Sequence, residues 1–437
     1  MASALDTRGT PMHKFPEPEL GDAPIPKERY TSPEFMAREW DRMWTRTWVI
    51  AGPLSDIPEV GDYFTFELGH ESILVVRSAP DRIDALYNVC QHRASQVVPK
   101  RGCGHARAFV CPYHLWTYDL QGNLRGLPDR DDFRQGTEGI RLPSLQVDTW
   151  GGWVFVNMAP DAEPLPEFLG LVADHLAPYD FGGSFALTED YVFEWDCNWK
   201  VAVDSFNEAY HIQGIHPELL PFTDDVDCPV DLLGKHSRFL FHVGRPSPRW
   251  SDRMARQAGY EDRNALSKEM RGMLEMNGLD PEPFAGRQGE VRPVLMSAAR
   301  ETARRRGYDV EALNDEQLMM DVHYQIFPNI TLNISPNHFW FFRARPHPDD
   351  PNRCYWDYQN YDRMPVGSER PPRPETVHTR WGEGHESKLH LALRQDGEQA
   401  APQQRGLRSR GFKGLHLAYQ ERRIRHFHDI LDGYLES

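Results

Sequence analysis

Residues 88–96, NVCQHRASQ, and 109–118, FVCPYHLWTY, each carry one cysteine and one histidine at close spacing: Cys90-x-His92 and Cys111-x-x-His114. Both lie in a region whose apolar residues alternate with period two. GDYFTFELG (from Gly61), ESILVVRSA, IDALYNVC, AFVCPYH and GGWVFVNM read as short strands divided by Gly, Pro and Asp turns. An all-β module over 48–160 is expected, with the two Cys/His loops at the tips of strand pairs. Two thiolates and two imidazoles brought together there suit two inorganic centres. A tetrahedral zinc ion takes four such ligands, although zinc fingers usually pair Cys with Cys and His with His. A [2Fe-2S] cluster with both cysteines on one iron and both histidines on the other takes the same four. Exchanging thiolate for neutral imidazole raises its reduction potential.

Composition bounds the rest. The chain has 437 residues, of which 40% are apolar and 11% aromatic, the profile of a globular protein of two or three domains. A net charge of −16 opposes polyphosphates and anionic lipid, so neither nucleic acid nor a membrane is an expected partner. MASALDTRGTPMHKFPEPEL has no basic stretch followed by an apolar run, and no window nears the roughly 18 apolar residues that span a bilayer. The six cysteines (Cys90, Cys103, Cys111, Cys197, Cys228 and Cys354) are too sparse for a disulfide scaffold at this length. A cytoplasmic setting is expected, in which a cysteine pair with a role holds metal.

Before the β-module, TSPEFMAREWDRMWTRTW (31–48) reads as a helix. Ser32 is its N-cap, Pro33 suits the first helical position, and Met36, Trp40, Met43 and Trp44 make one apolar face. Residues 1–47 are expected to form an N-terminal helical segment packed on the last domain. The link APDAEPLPEF follows the module, and 161–437 is of mixed character. DSFNEAYHIQGIHPELL reads as a helix interrupted near Gly214, and 251–320 as a charged helical insertion. DVHYQIFPNITLNIS, HFWFFRARP and RCYWDYQNYDR look like antiparallel strands, and LHLAYQERRIRHFHDILDGYLE like an amphipathic helix. The fold class is α+β.

NWKVAVDSFNEAYHIQGIHPELL (198–220) carries a second constellation. Glu208 and His211 stand at i and i+3, neighbours on a helical surface. A break at Gly214 would swing His216 to the same point. Two imidazoles and one carboxylate on one face of an iron leave positions open for dioxygen and a substrate.

The ordered quartet Cys90-x-His92, eighteen residues, then Cys111-Pro-Tyr-His114 followed by Trp116 and Gly122, resembles the Rieske domain of aromatic-ring-hydroxylating oxygenases. Leu115 stands where that family more often has Gly. Ser95 and Tyr113 occupy the positions of the extra cysteines that brace respiratory-chain Rieske proteins, so the resemblance is to the oxygenase branch. Asn198-Trp199-Lys200 with Glu208, His211 and His216 is similar to the family's mononuclear-iron segment, and LRQDGEQAAPQQRGL (393–407) to its later acidic motif.

The resemblance implies an all-β Rieske [2Fe-2S] domain and a helix-grip (START-like) catalytic domain on an antiparallel sheet. It implies Cys90, His92, Cys111 and His114 as cluster ligands, and His211, His216 and Asp396 as ligands of a mononuclear Fe(2+). Asp357, Asp362 and Glu398 are substitutes for Asp396. Glu208, Asp in most members and Glu in the branch with quaternary-ammonium oxygenases, is implied to link His211 to His114 of an adjacent chain in a homotrimer.

The implied activity is that of a terminal oxygenase with dioxygen as co-substrate. No strand–GxGxxG–helix fingerprint occurs, so NAD(P)H is expected to act through a separate reductase, with or without a ferredoxin. The basic island RGLRSRGFKG with ERRIR is either a solvated face or a ferredoxin contact. The substrate expected is an aromatic or other hydrophobic ring compound. Monooxygenation of a quaternary ammonium compound, or O-/N-demethylation, is the alternative. Aromatics in NHFWFF, CYWDYQNY and LPFTDD suit a ring pocket, a sheet core or an ammonium cage alike. The resemblance also allows an accessory β-subunit beside the homotrimer. An electron-transfer protein or a zinc-stabilised module would leave Glu208, His211 and His216 without a role.

Overall fold

The computed structural model describes residues 18–436, whose contacts form two compact units: 37–168, and 18–36 together with 169–436. Of the segment expected over 1–47, residues 1–17 lie outside the described residues. The division falls at 36/37, inside the helical stretch expected over 31–48, and at 168/169 rather than 160/161. Ser32 caps helix α1 (Pro33–Glu39), its Oγ accepting the Phe35 N–H at 3.1 Å. The stretch then widens into a π-type turn over Trp40–Trp44 that buries Met43 and Trp44.

The 37–168 unit contains strands β1 (Val49–Pro53), β2 (Asp62–Leu68), β3 (Glu71–Ala79), β4 (Arg82–Tyr87), β5 (Cys103–His105), β6 (Phe109–Val110), β7 (Thr117–Tyr118), β8 (Leu124–Gly126), β9 (Ser144–Trp150) and β10 (Trp153–Asn157). Seven form a sheet in the order β1-β10-β9-β4-β3-β2-β5, and β6-β7-β8 form a second. Period-two patterning decides the facing: Phe64, Phe66 and Leu68 of β2 are buried on one face, while Tyr63, Thr65 and Glu67 on the other are half-buried. Leu74, Val76, Leu86, Val97, Phe109, Trp116, Tyr118 and Leu142 pack into one cluster that also contains Cys90 and Cys111. The two cysteines are thus part of the module's core.

The other unit is built on a nine-stranded sheet. Its strands are β11 (Phe185–Trp195), β12 (Thr223–Asp224), β13 (Val230–Leu233), β14 (His236–Val243), β15 (Met320–Ile326), β16 (Ile330–Ile334), β17 (His338–Pro346), β18 (Cys354–Arg363) and β19 (Val377–Arg380). The order is β12-β14-β15-β16-β17-β18-β11-β19, with β13 paired to β14. All pairs are antiparallel except β11 with β19. Its helices include α2 (Trp199–Asp204), α3 (Ile212–Ile215), α4 (Asp252–Gln257), α5 (Lys268–Met276), α6 (Val291–Arg305), α7 (Leu391–Leu407) and α8 (Arg422–Glu436). One sheet face meets Phe206, just past α2, which stacks on Phe342 at 4.5 Å, and Arg423 of α8, whose guanidinium lies 4.7 Å from the Phe239 ring centre. The opposite face packs Phe339 against Phe181 and Phe185.

The Asn-Trp-Lys triplet has a physical reason. Asn198 caps α2, its side chain accepting the Lys200 N–H at 3.0 Å and donating to the Pro351 carbonyl at 2.7 Å. Trp199 is core, and the Lys200 ammonium is buried 4.9 Å over its ring. Tyr30 donates to Asp204 at 2.6 Å; burial pushes Asp204 up to about 7, against the pull of that bond and of Lys200.

The helix expected to run through Glu208 to Gly214 does not form. Helix α2 stops at Asp204, a turn carries Glu208, and α3 spans only Ile212–Ile215. The break lies before Glu208, not at Gly214.

Candidate metal centres

Two loops in the 37–168 unit have the same backbone design. The Cys90 N–H donates to the Ser95 carbonyl (2.8 Å) and the Ala94 N–H returns to the Cys90 carbonyl (3.0 Å). The Cys111 N–H donates to the Trp116 carbonyl (2.8 Å) and the Leu115 N–H to the Cys111 carbonyl (3.0 Å). Each loop closes through a left-handed residue, Ala94 at φ 59° and Leu115 at φ 61°. That is the physical meaning of the glycine more usual at position 115. Because a left-handed backbone costs an L-residue roughly 1–2 kcal/mol and glycine loses part of that in entropy, Leu115→Gly is expected to stabilise the loop by about 0.5–1 kcal/mol. A raised denaturant midpoint for loss of the loop's bound group measures this, and an unchanged or lowered midpoint contradicts it.

The loops bring four donors together. Cys90 and Cys111 are each 2% exposed, and the His92 and His114 rings lie 4.5 Å apart. His92 stacks on Trp116 at 4.9 Å, and its Nδ1 is buried without a hydrogen-bond partner. Tyr118 accepts the Gln91 N–H at 3.1 Å, which leaves its own proton for the Cys90 sulfur at 3.3 Å. Burial pushes the Cys90 thiol up; Tyr118 draws it part of the way back and the adjacent Cys111 sulfur adds to the rise. Buried thiols beside unengaged imidazole nitrogen fit a mixed thiolate–imidazole metal group and not a disulfide. Cys103 is exposed, with its sulfur 3.6 Å from Asp56.

In the sheet-and-helix unit, His211, His216 and Asp396 offer ligand atoms that all lie within 4.8 Å of one another. His211 precedes α3, His216 ends it, and Asp396 comes from α7. Asp396 Oδ1 is 2.9 Å from His216 Nε2 and 3.6 Å from His211 Nε2. The other nitrogen of each ring is held from behind. Glu208 Oε1 is 2.5 Å from His211 Nδ1, while Glu208 Oε2 accepts the His211 N–H at 3.0 Å. Gln395 Oε1 is 2.7 Å from His216 Nδ1. Both Nε2 atoms are thereby turned toward Asp396, the support that metal-binding histidines receive. Burial pulls His211 down, yet the bond and charge of Glu208 and the charge of Asp396 hold it above its ordinary value. Two imidazoles and a carboxylate, 2% exposed at His216 and 7% at Asp396, fit a divalent ion.

Helix α7 is fixed by its own sequence. A Cβ on Gly397 would stand 2.2 Å from Trp381, so the residue after Asp396 must be glycine for that ring to lie against the helix. Gln404 accepts the Asn198 N–H at 2.9 Å and so ties α7 to the start of α2. The substitutes for Asp396 are engaged elsewhere: Asp357 is buried on Arg343 and Arg345, Asp362 bonds Thr188 and Asn360, and Glu398 faces solvent. Sequence reasoning missed Tyr118, Gln395 and Trp381, which are remote from or unremarkable beside the ligands they support. A cavity of about 150 Å³ is lined by Glu208, His211, Asp396 and Trp195, and one of about 580 Å³ by Glu208, Asp204, Phe412 and Glu421.

A Cys2His2 module and a two-histidine, one-carboxylate site in one chain define a two-centre non-haem metalloprotein. The family model for the ring hydroxylating alpha subunit (catalytic domain) matches residues 183–437, and that for the Rieske [2Fe-2S] domain matches 47–146. The chain belongs to the ring-hydroxylating alpha subunit family of Rieske oxygenases. Among curated relatives, the glycine betaine monooxygenase oxygenase subunit of Chromohalobacter salexigens is 31% identical over 269 residues, covering 60% of this chain and 56% of that one. The chloroplastic choline monooxygenase of Amaranthus tricolor is 30% identical over 241 residues, 54% of each. The chain spans about half the length of the curated relatives it matches. The quaternary ammonium Rieske monooxygenase CntA, solved with L-carnitine, shares the fold at a TM-score of 0.66 and 20% identity, over 94% of this chain and 95% of that one. No helix among the described residues is long and apolar enough to cross a membrane.

Proposed function

We propose that the chain is the oxygenase component of a multicomponent Rieske system, with Cys90, His92, Cys111 and His114 holding a [2Fe-2S] cluster and His211, His216 and Asp396 holding a mononuclear Fe(2+). The convergence of His211, His216 and Asp396 within 4.8 Å, in a chain that also carries the cysteine–histidine quartet, carries the reading. When bound, the cluster supplies single electrons and the ferrous ion activates dioxygen for hydroxylation of a nearby substrate.

The chain's residues hold and orient. Glu208 and Gln395 fix the tautomer of His211 and His216, and Asp396 contributes a carboxylate on the Nε2 side of both rings. Glu208 also lines the larger cavity, and its carboxylate is the group that would meet His114 of a neighbouring copy in a homotrimer. Electrons come from a separate NAD(P)H-dependent reductase or a ferredoxin, in a cytoplasmic setting. The names of the relatives favour a small quaternary ammonium compound over the aromatic ring compound expected from sequence.

Metal analysis tests the assignment: about three irons and about two acid-labile sulfides per chain are expected. Zinc alone, or protein without sulfide, overturns it. The Tyr118 proton on Cys90 stabilises the reduced, more negative state. A hydrogen bond to a charged group of about 1.5 kcal/mol corresponds to roughly 60 mV for one electron. Tyr118→Phe should therefore lower the cluster midpoint by about that much in a redox titration; an unshifted midpoint removes Tyr118 from the role.

A further inference from the structure

The face of the Cys/His loops around His114 is apolar where it meets solvent. Tyr113 and Leu115 flank His114 and are 55% and 60% exposed, and Val110, just before Cys111, is exposed too. A charged group from the other loop lies on this tip: the Arg93 guanidinium stands 5.1 Å from the centre of the Tyr113 ring. Arg93 is itself exposed, and no carboxylate among the described residues pairs with it. Large apolar side chains left in water beside an unpaired cation mark a contact surface.

The cavity of about 580 Å³ in the sheet-and-helix unit has the complementary composition. Phe412, Leu415 and Leu417 form an apolar wall, Asp204, Glu208 and Glu421 supply carboxylates, and none of the lining residues is a cation. Those charges are not all compensated. Asp204 is 9% exposed, and its Oδ1 is buried without a hydrogen-bond partner. Glu421 accepts the Ala418 N–H at 2.7 Å, and no Lys or Arg among the described residues forms an ion pair with it. Burial pushes Glu421 up, and the Glu208 charge adds to the rise. Tyr419, two residues before Glu421, is 72% exposed, so an exposed ring stands beside this acid as one stands beside Arg93. A desolvated carboxylate near another of the same charge is stabilised by a cation that arrives from outside. A guanidinium already resting on an aromatic ring brings that cation together with apolar area to fill the wall. His114 sits between Tyr113 and Leu115, so a tip seated this way carries its imidazole toward Glu208, which lines the same cavity. An acidic partner protein would be repelled by the three carboxylates.

We propose that this cavity is the docking surface for a second copy of the chain, which inserts Arg93 and Tyr113 so that the guanidinium pairs with Glu421 and the ring packs on the apolar wall. The inference rests on the homotrimer reading above and deepens it by naming the groups that recognise each other.

The test is sedimentation velocity of the full chain over a dilution series, its iron and sulfide contents measured beforehand. Single-turnover oxidation of the reduced cluster is the second readout, and it decides alone where the assembly is too tight to dilute apart. Arg93→Glu and Glu421→Arg should each raise the dissociation constant of the assembly, and slow cluster oxidation, by about tenfold or more. Both substitutions in one chain should return the two quantities to within about threefold of the parent. Glu421→Arg lies outside the cluster loops, so it decides the matter if Arg93→Glu loses sulfide. Assembly and rate both unchanged by Glu421→Arg, a combined variant no better than the worse single one, or a parent chain monomeric at every concentration each overturns the proposal. A raised KM for the electron donor with assembly unchanged assigns Arg93 to the donor protein and overturns it too. Any of these with full iron and sulfide leaves the oxygenase reading intact, whereas a parent chain without sulfide counts against that reading alone.

Discussion

Asp396→Ala is expected to empty the mononuclear site while leaving the cluster untouched. Asp396 Oδ1 lies 2.9 Å from His216 Nε2 and 3.6 Å from His211 Nε2, the one carboxylate oxygen among the described residues that both histidines share. Its loss leaves two neutral imidazoles, which hold a ferrous ion weakly and do not offset its charge. Iron should fall from about three to about two per chain with sulfide unchanged, and oxygen-dependent turnover should drop by about 100-fold or more. Gly397 and Gln404 still seat α7, so the fold should survive, as circular dichroism can check. Retention of the third iron would place the carboxylate ligand elsewhere.

Glu208→Gln should separate occupancy from turnover. Both carboxylate oxygens are used as acceptors, one for His211 Nδ1 and one for the His211 N–H. The amide offers one acceptor and one donor, so one contact becomes a donor facing a donor. His211 Nε2 remains available, and both centres should stay loaded at saturating iron. Turnover should nonetheless fall about 10- to 100-fold, the usual cost of losing the group that orients a metal-bound histidine. Stopped-flow bleaching of the cluster would place the slowed step in electron transfer between centres. Unchanged turnover would remove Glu208 from the electron path.

The cluster quartet was legible because each Cys/His pair lies within one short loop, where local hydrogen bonds fix the geometry. Ser95 and Trp116 carbonyls close those loops, and no distant contact is needed to aim the donors. Glu208 and His211 were found as a pair for a partly mistaken reason. They meet in a turn after Asp204, where the carboxylate accepts a backbone N–H, and not on a helical surface. Asp396 followed only from a loose motif. Its side chain meets His216 across 180 residues of chain, and nothing local separates it from Asp357 or Asp362.

By itself the sequence determined the two-centre chemistry, the β-module and the antiparallel character of the second unit, since spacing and period-two alternation are short-range properties. Tertiary structure alone decided which carboxylate joins the histidines, that Gln395 and Tyr118 support the ligands, and which alternate residues of NHFWFF share the sheet face that meets Phe206. Those depend on strand register and on helix α7 docking through Gln404 and Gly397, where one residue of slip would send Trp340 to the opposite face.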